Sequence, residues 1–282
     1  MKLKVNKIIL GTAGLGLKYG LKTNSKYLNK SKALKILEYA YDNGIKFFDT
    51  AKNYNTEDII AEFLKTHGIK DLILSTKLPH NSNYKNILDN YLNSVNDTLK
   101  KTKLNRIETV FVHDLNDLKI LRDKNHGNVL KILKKKLPIN NIGFSIYNIK
   151  DFNKSVAIMK KSVFQFPFNV LNREFEKLES KKLIYARSIF LQGFLINKNI
   201  RFLNKKIDKL HKDYHNFVEN LKIDPFDYAI SSVLKKNYNY YVIGVDSIKE
   251  LKKIINYKVK NNYDYNLDLI YSKKIIDPRN WR

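Results

Sequence analysis

The chain has 282 residues, 43% of them hydrophobic, enough to bury a sizeable core and to exclude a disordered polymer. It holds no cysteine, which excludes disulfides, thiolate metal sites and a cysteine nucleophile, and no apolar run nears the ~20 residues of a membrane span. The formal charge of +26 admits nucleic acid or an anionic membrane as partner, but lysine is spread over every segment beside abundant Asn, Ile and Tyr, the pattern of AT-rich coding drift.

The short runs Lys134-Lys135-Lys136 and Lys205-Lys206 lack the interleaved aromatics that would stack on bases. We therefore expect no specific nucleic-acid partner and no membrane partner, only weak steering of anionic ligands. The first ten residues, Met1 to Leu10, are charged and have no apolar h-region, so they do not read as a signal peptide. A cytoplasmic location is the simplest setting for a chain without cysteine.

In chain order, Ile8 to Thr12 reads as a first strand. The stripe Ala33, Leu34, Leu37 and Tyr41 predicts a helix closed by Gly44, where a left-handed cap is favoured. Strands follow at Ile45 to Thr50 and Leu72 to Lys77, then a helical stripe of Ile87, Leu88, Tyr91, Leu92, Val95 and Leu99. Further strands are expected at Thr109 to Asp114, Ile142 to Tyr147, Val163 to Phe168 and Leu183 to Ser188. Asp224 with Pro225 is an N-cap and first-turn pair, starting a helix through Ile230 and Leu234. After a last strand at Tyr240 to Val245, Ser247-Ile248-Lys249-Glu250 forms a capping box, with Leu251, Ile254 and Ile255 on the buried face.

Near-continuous apolar strands suit a parallel sheet covered on both faces. Eight of them alternating with helices predict an α/β fold, a (β/α)8 TIM barrel, with an open doubly wound sheet as the alternative. No Pro/Gly/Ser-rich linker divides the chain, so residues 1–282 read as one domain. A short N-terminal strand element is expected, and the tail Ile275 to Arg282 is too apolar to be free and should pack on the barrel.

In such a barrel the active site lies at the C-terminal ends of the strands. Those ends carry Asp49, Lys77 and His113, with Tyr54 on the loop just beyond Asp49. Alone, each reads as a satisfied structural residue; on successive strands they point at one mouth. A free tyrosine has a pKa near 10, and a neighbouring ammonium held by a carboxylate favours its phenolate. An imidazole N–H could orient a carbonyl oxygen beside that phenol. Such a group protonates a carbonyl, and since no side chain delivers hydride, a nicotinamide cofactor is implied.

Asp49-Thr50-Ala51 with Tyr54 and Glu57, then Lys77, then His113-Asp114, resemble in order and placement the catalytic tetrad of the aldo-keto reductases. The resemblance spans nearly the whole chain, through Leu10-Gly11-Thr12, Gly143-Phe144-Ser145, Gln165, Ala186-Arg187-Ser188 and Ile243-Gly244. Leu191-Gln192-Gly193 and the closing Asp277-Pro278-Arg279-Asn280-Trp281 are similar to a bacterial group found beside surface-polysaccharide genes. It implies reduction of an aldehyde or ketone, a sugar or nucleotide-linked sugar among the candidates. Tyr54 would be the general acid, Lys77 would tune it, Asp49 would hold Lys77, and His113 would orient the carbonyl. The cofactor is NADPH as family default, or NADH, and no metal is expected. Ser145 and Gln165 match carboxamide-holding positions, and Arg187, Ser188, Gly244 and Ser247 fall in cofactor-binding segments. Tyr19, Phe168 and Trp281 are candidates for the substrate pocket, each with plain packing as the alternative. The short loop from Leu78 to Asn86 suggests an open mouth.

Several residues depart from the family pattern. Asn55 replaces the glycine common after the tyrosine, a tolerable occupant of a left-handed turn. Ile146 follows Ser145 where asparagine is frequent. Arg187 stands where many relatives stack an aromatic on the nicotinamide; a salt bridge at the rim is its other reading. Glu250 falls where an arginine often meets the 2′-phosphate of NADPH, and Ile254 where an asparagine can hold adenine; Lys249, Lys252 and Lys253 are near enough to compensate. Two rivals of other classes are a catalytically weak nicotinamide-binding barrel serving as redox sensor or docking subunit, and a nucleic-acid-binding barrel resting on charge alone.

Overall fold

The computed structural model describes residues 3–17, 28–80, 86–114, 116–122, 128–178, 181–259 and 273–281. Eight parallel strands close a barrel in sequence order. They are β1 (Ile8–Gly11), β2 (Phe47–Asp49), β3 (Ile73–Leu78), β4 (Ile107–Val112), β5 (Ile139–Ser145), β6 (Val163–Pro167), β7 (Ile184–Arg187) and β8 (Tyr240–Gly244). Gly11 pairs with both Asp49 and Gly244, and Lys77 with Phe111, so the strand exits share one rim.

All eight expected strands are present, with some ends shifted. β4 and β5 each begin two to three positions early because Ile107 and Ile139 are buried and join the ladder. The polar interruption is absorbed at the solvent-facing starts of the two strands, where Asn140 and Asn141 donate to the Glu108 carboxylate at 2.6 and 2.9 Å. Ahead of β1, the described residues form one 3-10 turn (Val5–Lys7) and not a separate strand; the expected N-terminal strand element is seen there only as β1 itself. Val5 lies beside the positive-φ Gly44, and Leu3 N donates to Tyr257 O at 3.1 Å, so this segment is tied to the end of α2 and to the residues after α10.

Strand residues alternate between two apolar layers. Ile9, Phe47, Phe111, Val163, Tyr185 and Val242 fill the barrel interior, which is a packed core and no pore. Gly143 makes room for it: a Cβ there would lie 2.5 Å from the Phe111 ring. The neighbouring strand positions Leu10, Phe48, Leu74, Val110, Phe144 and Ile243 face outward into the helix layer. Each fully buried side chain of this kind contributes roughly 1.5–3 kcal/mol.

The helices are α1 (Ala13–Gly16), α2 (Lys30–Asp42), α3 (Glu57–His67), α4 (Ile87–Thr102), α5 (Asp117–Leu121) and α6 (Val129–Lys136). They continue as α7 (Ile149–Ile158), α8 (Lys205–Asn220), α9 (Pro225–Leu234), α10 (Ile248–Ile255) and α11 (Lys273–Ile276). Caps legible in the sequence hold three of them: Gly44 leaves α2 at φ +86°, Asp224 accepts from Asp227 N, and Ser247 accepts from Glu250 N. Side-chain N-caps are worth about 1 kcal/mol each.

The tail packs as expected. Ile276 is buried with Leu191, Phe194, Leu210 and Tyr214 in a second apolar cluster between α8 and the segment after β7. The Trp281 ring lies 4.9 Å from Phe194, and its indole N–H donates to Ile275 O at 2.5 Å. Among the described residues no helix is long and apolar enough to cross a membrane.

Candidate active site

Asp49 ends β2 and Lys77 lies on β3, both almost wholly buried. Their side chains meet at 2.5 Å (Nζ to Oδ2), and Lys77 also donates to Thr50 O at 3.0 Å. The other Asp49 oxygen accepts from Gln165 Nε2 at 3.0 Å. A buried charge pair is tolerable only when its remaining lone pairs and protons find partners, and this one is tied on both sides. Burial works against the Lys77 ammonium most strongly, but the Asp49 carboxylate and Tyr54 outweigh it, and the lysine pKa is held above its ordinary value.

Tyr54 sits on a 3-10 turn (Lys52–Tyr54), and the Lys77 Nζ lies 4.9 Å from its ring centroid. Asn55 takes the left-handed conformation expected of it, φ 56° and ψ 30°. Three devices fix this turn. Lys52 bridges Glu57 and Asp97 at 2.7 Å each, while Glu57 also accepts from Thr98 at 2.8 Å. The Thr56 hydroxyl is shared with Thr12 and Thr50 at 2.9 and 2.7 Å. Finally, Gly16 in α1 presses against the tyrosine's backbone: a Cβ there would fall 2.1 Å from Tyr54 O. Glu57, the motif's acid, is thus a brace for the loop.

His113 lies one residue beyond β4. Burial, then repulsion from Lys77, Arg187 and Arg279, pushes its pKa down to about 3. The imidazole is therefore neutral near pH 7 and offers one N–H. Its Nδ1 is buried without a protein partner among the described residues.

Asp49, Tyr54, His113 and Gln165 form one end of a cavity of about 780 Å3 that runs to Gly244 at the β8 exit and to Glu250 and Ile254 on α10. The segment from Ser188 to Gly193 lines it between these ends, with Ser188, Leu191 and Gln192 all at positive φ (59°, 48° and 58°). Non-glycine residues held this way cost of order 1–3 kcal/mol each and cluster at ligand sites.

The remaining candidates divide. Gln165 is fully buried, and its Oε1 has no partner among the described residues. Ser145 is also buried, and its Oγ accepts from Arg187 Nη2 at 3.5 Å. Arg187 lines the cavity and donates to Ser188 Oγ at 3.3 Å. Instead of a salt bridge at the rim, its guanidinium lies over the Tyr147 ring, 4.5 Å from the centroid. Gly244 lines the cavity, whereas Ser247 caps α10 outside the lining. Trp281 belongs to the aromatic cluster with Phe194, and the fully buried Phe168 sits beneath Arg173; neither lines the cavity. Tyr19 and positions 81–85 of the expected short loop lie outside the described residues.

At the far end, Glu250 accepts from Asp246 N at 2.9 Å, one residue before the partner a capping box would give it. Lys253 lines the cavity, 3.3 Å from Asp224 Oδ1 and 4.1 Å from the Phe226 centroid. Lys252 lies over Tyr39, and neither it nor Lys249 reaches the lining. Two residues not singled out by their sequence context also line the cavity: Tyr147 at the β5 exit, and Arg279, whose guanidinium lies 3.5 Å from the Tyr147 centroid.

The family model for the aldo/keto reductase family matches residues 7–272. The aldo-keto reductase YhdN of Bacillus subtilis is 27% identical over 198 residues, 66% of this chain and 56% of that protein. The chain spans about half the length of the curated relatives it matches. Among solved structures, the aldo-keto reductase AKR11C1 of Bacillus halodurans in its holo form superposes with a TM-score of 0.68 at 18% identity, covering 88% of this chain and 85% of that one. The glycerol dehydrogenase AKR11B4 of Gluconobacter oxydans gives 0.65 at 17% identity, covering 89% and 85%. At such identities the likeness speaks to the fold. The family match covers nearly the whole chain, and this chain belongs to the aldo/keto reductase family.

Proposed function

We propose that this chain reduces an aldehyde or ketone with a reduced nicotinamide cofactor, with Tyr54 as the proton donor. The observation that carries the reading is the buried Asp49–Lys77 pair under the Tyr54 ring, with a neutral His113 at the same end of the cavity.

The residues present fit the cofactor. Gln165 Oε1, buried and without a protein partner among the described residues, suits the N–H of a carboxamide. The left-handed residues Ser188, Leu191 and Gln192 suit a pyrophosphate, since turns of this type gather N–H groups into concavities. Gly244 leaves the floor of β8 open to close approach. When bound, the nicotinamide supplies hydride to the carbonyl carbon. The protein's part is proton and charge handling. His113 orients the carbonyl oxygen by its N–H, and the Tyr54 hydroxyl gives that oxygen a proton as charge develops on it. The Lys77 ammonium, fixed by Asp49 and Thr50 O, stabilises the phenolate left behind.

The far end supports NADH over the family-default NADPH. Glu250 brings a carboxylate to the lining, Lys253 is held toward Asp224, and Lys249 and Lys252 stay out of the lining. The test is a panel of aldehydes and ketones, including keto-sugars, aromatic aldehydes and glyceraldehyde, run with each cofactor and followed by loss of reduced-nicotinamide absorbance. Turnover of at least one carbonyl, with kcat/KM for NADH at or above that for NADPH, is expected. Cofactor binding without turnover of any carbonyl would contradict the reductase reading, and a preference for NADPH above tenfold would contradict the NADH assignment.

A further inference from the structure

Beside the proton-transfer group the cavity holds a second cluster of charge. The Arg187 and Arg279 guanidinium groups both lie over the Tyr147 ring, their central carbons 4.5 and 3.5 Å from its centroid. All three residues line the cavity together with His113.

Each carboxylate of this end is bonded to a group other than Arg187. Asp49 is matched by Lys77, and Asp277 grips Arg279 through both carboxylate oxygens, 3.0 Å from Nε. Glu174, also in the lining, accepts from Ile149 N at 3.3 Å. Arg187 has hydroxyl partners, Ser145 and Ser188, and no carboxylate within ion-pair distance among the described residues. The Arg187 guanidinium is thus partly buried, without an ion pair among the described residues, and presented to the cavity by a stacked aromatic. Burying a guanidinium without a counter-charge is unfavourable unless a ligand supplies one. Its planar fork of donors matches carboxylate and phosphate oxygens.

We propose that Arg187, held against Tyr147 beside Arg279, recognises an anionic oxyacid group on the substrate, so that the preferred substrate is an aldehyde or ketone bearing a carboxylate or phosphate. This rests on the reductase reading of the cavity. The general surface charge is no substitute: one substitution alters a net charge of +26 by a single unit, so a large effect of that substitution is local.

The test has a kinetic and a binding arm. In the first, kcat/KM is compared for succinic semialdehyde and butanal, which share chain length and differ in the carboxylate, and for glyceraldehyde 3-phosphate and glyceraldehyde. At least one anionic member should exceed its neutral partner by tenfold or more; the pair that does so tells carboxylate from phosphate. Arg187→Gln should lower that ratio at least tenfold, whatever it does to absolute rates, and Arg187→Lys should keep part of it. In the second arm, calorimetry of the protein with succinate, succinamide and inorganic phosphate should show saturable binding of succinate or phosphate and none of succinamide. Arg187→Gln should weaken that binding tenfold. Equal rates within both pairs, or anion binding unchanged in Arg187→Gln, would overturn the proposal. So would an Arg187→Gln protein that loses affinity for the reduced cofactor while keeping the anionic preference. A protein that turns over no carbonyl yet binds succinate through Arg187 would sink the reductase reading and leave the anion site standing.

Discussion

At the Tyr54 end of the cavity, both oxygens of Asp49 are occupied inside the barrel, by Lys77 and Gln165, and the tyrosine loop is braced from below by Lys52, Glu57 and Gly16. At the far end, between Gly244 and Ile254, the polar groups in the lining are those of a helix cap: Glu250 with Asp246 N, and Lys253 beside Asp224. The first end is a fixed instrument, and its parts cannot be exchanged without exposing a buried charge or moving the backbone. The second is built on a helix outside the strands, α10, where a change of side chain leaves the barrel intact. The proposed chemistry and the proposed cofactor choice thus rest on regions of very different tolerance.

The sharpest way to break that contrast is to remove one partner of the buried pair. Asp49→Asn leaves the Lys77 ammonium without its carboxylate and is expected to lower unfolding stability by about 3–5 kcal/mol. Glu250→Gln, at the other end, should cost no more than about 1 kcal/mol. Urea unfolding of both variants checks the pair, and equal losses would erase the distinction. A smaller change probes the loop brace. Gly16→Ala must push a methyl against Tyr54 O, Thr56 and Asn55. It should cost about 1–3 kcal/mol, with a fall in kcat that a purely global loss of stability would not produce at low temperature.

Acid should act on the buried imidazoles. His113 is held at about 3 and His215, whose Nε2 contacts Phe194 O at 2.9 Å, at about 4, burial being the largest cause in each. Unfolded histidine titrates near 6.5, so as pH falls below that value the unfolded chain takes protons first. The stabilisation is complete above about pH 6.5 and is lost toward the folded values, at up to about 1.4 kcal/mol per pH unit for each group. Unfolding curves at pH 7, 6 and 5 should show the decline, and His113→Gln should be flatter by one group's share. The smallest effect concerns cofactor choice: Glu250→Arg should move the kcat/KM ratio toward NADPH by about tenfold, a difference of about 1.4 kcal/mol. No movement would place the 2′-position away from α10.

The two ends also differed in what the sequence disclosed. The barrel was legible because each strand is a short apolar run, and the shifted starts of β4 and β5 were hidden by Glu108 on the one and by Asn140 and Asn141 on the other, whose amides pair with the Glu108 carboxylate. Asp49, Lys77 and His113 could be picked out because each closes or directly follows such a run, and Tyr54 because it lies on the short loop after Asp49. Gly16 gave no local signal, since the atom it must avoid belongs to a loop nearly forty positions later. Tyr147 and Arg279 were overlooked for the same reason: their stacking joins a strand exit to a tail more than a hundred residues away. Ser247 and Trp281 look chemically suited to a ligand, but capping and aromatic packing occupy them instead.

The most direct test of the central claim is Tyr54→Phe, which removes one hydroxyl and leaves the ring over which Lys77 sits. With the best carbonyl from the panel, turnover should fall by about 10²–10⁴, while the dissociation constant of the reduced cofactor, read by fluorescence, stays within a factor of two or so of the parent. Turnover that survives the substitution would contradict the assignment of Tyr54 as the proton donor.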